Sequence, residues 1–147
     1  MDVHDDLRLD GRFFNIHAEG RRVRDPLVLG LQWMIDFDKE RFAGCNALKR
    51  RRAQGLRKKI IGIAAESGCE GLKDGAWIYY QGAAVAEVVA SSFSWMLNQP
   101  VGLAVFPIEL AFSGLAFRLG APDGSVVRSI SMPPIMPKSL TVKLDEM

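Results

Sequence analysis

The chain has 147 residues, 48% of them apolar and 24% charged, with 19 basic against 17 acidic side chains. That is length enough for one ordinary core and too apolar for a disordered protein. The charge is too evenly balanced to point to a general nucleic-acid or membrane partner.

Cys45 and Cys69 are far apart, with no histidine at metal spacing beside either. The opening MDVHDDLRLD is acidic and has no apolar core. Two reduced thiols in a cytoplasmic protein are expected, with no metal site and no secretory leader. Glu87 interrupts the longest apolar run, so none reaches membrane length.

In chain order, the first segment turns Leu7, Leu9 and Phe13 inward between charges, with Phe14 and Ile16 also buried. Arg21, Arg22 and Arg24 read as a solvated loop ahead of the break at Asp25-Pro26. A strand-like run, Leu31 to Ile35, follows Gly30. Trp33 within it is read as a core residue, because large aromatics dominate cores; a stacking platform for a ligand is the other reading. A helix is expected from about Cys45 to Gln54, with Ala47, Leu48 and Arg51 on one face and Gly55 as left-handed cap. The basic run Lys49 to Arg52, continued by Arg57 to Lys59, matches the negative end of that helix dipole. It has no interleaved aromatic residues for base stacking, so nucleic acid is the weaker reading.

From Lys58 the reading is all β. Lys59 to Ala64 is a strand, and Ala76 to Tyr80, Gln81-Gly82 and Ala83 to Val89 form a hairpin. Ser91, Ser92 and Ser94 fall on an irregular polar crossing before the turn at Asn98-Gln99-Pro100 and a strand from Val101 to Phe106. Leu115 to Leu119 and Val126 to Ile130 pair across Ala121-Pro122-Asp123-Gly124. The expected fold is mainly β: a small antiparallel barrel of jelly-roll or Greek-key type, preceded by an α+β segment with one helix.

Several of these stretches resemble, in order, the C-terminal part of the aminomethyltransferase family, which includes the glycine cleavage T-protein and the dimethylglycine and sarcosine oxidising enzymes. They are Asp6-Leu7-Arg8-Leu9, Pro26 with Gly30-Leu31-Gln32-Trp33, Asp38-Lys39 with Phe42-Ala43-Gly44, Gly82 to Ala104, and Met132-Pro133-Pro134-Ile135. The resemblance implies residues 1–56 as the tail of a folate-binding region with a connecting helix, 57–137 as a C-terminal β-barrel domain, and 138–147 as a mobile tail.

It also implies tetrahydrofolate-dependent one-carbon transfer, with the key aspartate in the family's N-terminal part. No catalytic residue is therefore expected here, and a partner chain is expected to carry the folate pocket. Two folate contacts of the family fall within the match. An arginine is replaced here by His4, which cannot form a bidentate fork, and a tyrosine by Leu140, which has no hydroxyl. Arg8 keeps the family's arginine, so His4 and Arg8 are the candidate folate contacts. An ion pair with Asp6, Asp10 or another domain is the alternative for Arg8. Ser91, Ser92 and Ser94 are candidate interface residues, since none has an adjacent base to activate it. The rival to a one-carbon transferase subunit is a non-catalytic barrel module for binding or oligomerisation, or the remnant of a truncated enzyme. Both forms of this rival, the module and the remnant, expect an exposed apolar face.

Overall fold

The computed structural model describes residues 7–9, 11, 13–66, 69 and 71–130. Six strands form a closed antiparallel barrel: β1 (Lys58–Ala65), β2 (Trp77–Tyr80), β3 (Ala83–Ser94), β4 (Gln99–Pro107), β5 (Ala116–Leu119) and β6 (Ser125–Ile130). Their order around the barrel is β1-β4-β3-β2-β5-β6. Strands β2, β3 and β4 are successive neighbours, and β1 lies beside β4, which is the Greek-key arrangement. Closure comes from β1, which pairs with β4 along Lys58 to Ala64 and with β6 along Gly62 to Ala65. The part of β1 that β6 does not reach is covered from outside, where the Ile60 N–H donates to the Val28 carbonyl at 2.9 Å. A barrel edge is thereby kept from pairing with another chain.

Alternation along the strands divides the apolar residues between two clusters. Ile61, Ile63, Ile78, Val88, Phe106 and Val127 point into the barrel. Leu9, Leu29, Ile60, Val89, Ala90 and Leu103 make the second cluster, which packs the N-terminal segment on the outer face of β1, β3 and β4. Strand β3 serves both because its register shifts between Val88 and Ala90. A bulge there sends Val88 inward and leaves Val89 and Ala90 in the outer cluster. Gly102 lies opposite, where a Cβ would stand 2.8 Å from the Ala90 carbonyl oxygen, so only glycine lets the bulged strand approach this closely. The β2–β3 hairpin turns through Gln81 and Gly82, both at positive φ (51° and 84°), as a two-residue hairpin of matching twist requires.

Three sequence expectations change. The serines do not lie on a crossing: β3 runs unbroken through Ser94, and the turn is at residues 95–98. The basic stretch after residue 18 is no loop but a short helix, α1 (Glu19–Val23), which ends where Arg24 turns left-handed. The segment before the barrel has no strand among the described residues. Leu31 to Ile35 instead contains a 3-10 turn, Gln32–Met34, after the breaks at Pro26 and Gly30. Helix α2 (Cys45–Ala53) forms as expected, but Cys45, Leu48 and Arg51 make its inner side and Ala47 faces solvent.

Candidate functional site

The N-terminal segment is tied to itself by one buried carboxylate. Glu19, at the start of α1, is fully buried. Its Oε1 accepts from Arg8 Nη1 at 2.8 Å, and its Oε2 accepts from the Asn15 N–H at 2.7 Å. Arg8 Nη1 also donates to the Phe13 carbonyl at 3.2 Å. A buried carboxylate persists only with such partners. Three short pieces of chain, around Arg8, around Phe13 to Asn15 and at α1, are therefore fixed as one unit.

Beside that unit is a groove with a volume of about 560 Å³, walled by Phe13, Phe14, Ile16, Leu31, Trp33 and Met34. Its rim is apolar and open to solvent: Phe13 is 71% exposed, Ile16 74%, Trp33 67% and Met34 66%. Of the residues expected to turn inward, only Leu9 does so fully, while Leu7 and Phe13 face out. The expectation of a core Trp33 is likewise overturned, because the 3-10 turn carries both Trp33 and Met34 to the surface. Apolar side chains this large, gathered on one face, mark a contact surface.

The candidate residues fall apart in space and role. Arg8 is held by Glu19, a partner the sequence reading did not name, and has further contacts besides. His4, Leu140 and the segment Met132 to Ile135 lie outside the described residues. Ser91 donates to Asp74 Oδ1 at 2.8 Å, and Ser92 is half-buried and also engaged. Ser94 is fully buried and its Oγ accepts from the Leu97 N–H at 3.1 Å, so it shapes the β3–β4 turn from inside. Among the described residues no cluster of three or more His, Cys, Asp or Glu is placed to hold a metal ion. Both cysteines are free, and no described helix is long and apolar enough to cross a membrane.

A Greek-key barrel with an N-terminal segment strapped to its outer face and an apolar groove beyond it defines the architecture. No protein-family model matches the chain. It is 28% identical over 113 residues to an aminomethyltransferase of Pseudothermotoga lettingae, covering 77% of this chain and 31% of that protein. It is 26% identical over 109 residues to the mitochondrial dimethylglycine dehydrogenase of Rattus norvegicus, covering 74% of this chain and 13% of the relative. The crystal structure of the glycine cleavage system aminomethyltransferase T from Bartonella henselae has the same fold over 90% of this chain and 38% of its own, with a TM-score of 0.74 at 17% identity. The chain is thus similar, over most of its length, to a portion of the aminomethyltransferases and dimethylglycine dehydrogenases, and it spans about a third of the aminomethyltransferases that it matches.

Proposed function

We propose that this chain is the C-terminal part of a tetrahydrofolate-dependent aminomethyltransferase or demethylase-like enzyme, and that it closes one wall of a folate pocket carried by a partner chain. The observation that carries the reading is the apolar face of Phe13, Ile16, Trp33 and Met34, held open on a segment that Arg8 and Glu19 make rigid. A surface of this kind is stable in water only at a cost, and a partner that covers it removes that cost. The free cysteines suit a cytoplasmic setting.

The described residues fit a wall of a folate site more readily than a whole one. A pteridine ring needs a flat apolar surface on one side and hydrogen-bonding groups along its edge. The groove offers Trp33 and Phe13 for the first. For the second it offers little, because the Arg8 guanidinium is already engaged by a carboxylate and a carbonyl. Bound tetrahydrofolate would supply N5 as the acceptor of the one-carbon unit. This chain's part is to exclude water from one side and to hold the partner in register. In this reading the barrel domain begins at residue 57, Ser91 and Ser92 lie toward the partner, and His4 is the remaining candidate contact to folate.

The engagement of Arg8 by Glu19, together with the replacements at His4 and Leu140, favours a second reading: a barrel that binds or oligomerises without chemistry. Native mass spectrometry of the tagged chain, isolated from its own cells with and without tetrahydrofolate, separates the two. A stoichiometric complex with a second polypeptide resembling the folate-binding part of the relatives, heavier by one folate, is expected. A lone monomer or homodimer that ignores folate leaves only the second reading.

A further inference from the structure

On the other side of α1 from the apolar face, between α1, the Asp25 turn and the outer faces of β1, β3 and β4, runs a second groove with a volume of about 800 Å³. We propose that it binds a small amphipathic anion, one doubly charged oxyanion on an aromatic or aliphatic body. This inference does not rest on the proposed enzyme function.

The charges that line the groove are Arg22, Arg51, Arg57 and Lys58 against Asp25 and Glu87, four cations to two carboxylates. Only one of these pairs is closed. Arg51 Nε lies 2.8 Å from Asp25 Oδ2, its Nη1 donates to the Gly55 carbonyl at 2.7 Å, and Asp25 Oδ1 accepts from the Leu27 N–H at 2.9 Å. Arg22 Nη1 donates to the Val88 carbonyl at 3.3 Å and lies 4.0 Å from Glu87, with both side chains nearly half exposed, so it is tethered to β3 but has no committed ion pair. The side chains of Arg57 and Lys58 make no hydrogen bond or ion pair among the described residues.

Two cations, Arg57 and Lys58, are therefore available in one concave wall, with the half-exposed Arg22 beside them. Such a surface concentrates anions, and guanidinium forks match the geometry of a phosphate. The rest of the wall is apolar: Val85, Val89, Val105 and a Trp77 left half-exposed on β2. A bare inorganic ion would leave that surface wet, so the ligand that fits carries an apolar body against Trp77.

The test is titration calorimetry of the whole chain with phenyl phosphate, inorganic phosphate and benzoate, with the Trp77 indole proton followed by NMR. Phenyl phosphate is expected to bind one per chain, about tenfold more tightly than either fragment, and to shift the Trp77 signal. The variant carrying Arg57→Ser and Lys58→Ser is expected to lose at least about tenfold in affinity. The variant with Lys49→Ser and Arg50→Ser removes the same charge from α2, outside the groove, and is expected to bind as the wild type does. No binding of phenyl phosphate, equal affinity for either fragment, an unmoved Trp77 signal, or equal losses in the two double variants would overturn the proposal.

Discussion

Arg8 and Glu19 hold each other at 2.8 Å across eleven residues of chain, with the carboxylate fully buried and the arginine side chain 18% exposed. Removing the arginine strands a charge inside the protein. Arg8→Ala is expected to destabilise the chain by about 3–5 kcal/mol, whereas Glu19→Gln, whose amide oxygen can still accept from Asn15, costs about 1–2 kcal/mol. Urea unfolding of both variants checks the order. Equal small losses would mean that the pair does not organise the segment.

Ser129, on β6, anchors the loop before β5. Its hydroxyl donates to the Phe112 carbonyl at 2.6 Å and accepts from the Leu115 N–H at 2.9 Å, and the residue is almost fully buried. Ser129→Ala leaves the Leu115 donor without its partner and is expected to cost about 1–3 kcal/mol in thermal or urea unfolding.

Gly102 and the bulge opposite it form a backbone-to-backbone contact that has no slack. In Gly102→Ala the new methyl meets the Ala90 carbonyl oxygen, and a loss of about 1–3 kcal/mol is expected. Gly62→Ala is the useful comparison. Its nearest neighbour is a side-chain atom, Ile130 Cγ1 at 2.9 Å, rather than a backbone oxygen, so the loss measured by urea unfolding is expected to be smaller.

What the sequence made legible was what depends on local pattern. Alternating Val and Ile, the Gln81-Gly82 turn and the Asp-Gly turn before β6 mark the strands within a residue or two, except the end of β3, which runs five residues past Val89, and they name a barrel. The bulge at Val88 to Ala90 was not legible, because a one-residue shift changes which face a side chain meets without changing composition. The serines were misplaced for the same reason, since β3 continues through them by pairing with β4. Trp33 was misread because size argues for burial, while whether a tryptophan faces in depends on a 3-10 turn and on what lies beyond the groove. Arg8 stood out as a candidate, but its partner is eleven residues away, and only the packing of α1 brings the two together.

In the proposed function, the face of Phe13 and Trp33 seats a folate-binding partner. Both side chains are largely exposed, so a variant carrying Phe13→Asp and Trp33→Asp is expected to fold and melt as the wild type does. The decisive measurement is the native mass of tagged wild-type and variant chains recovered from their own cells in the presence of tetrahydrofolate. The expected result is a one-to-one complex with a folate-binding polypeptide for the wild type and a bare chain for the variant. A wild type recovered alone, or a variant that keeps the partner and its folate, would contradict the claim.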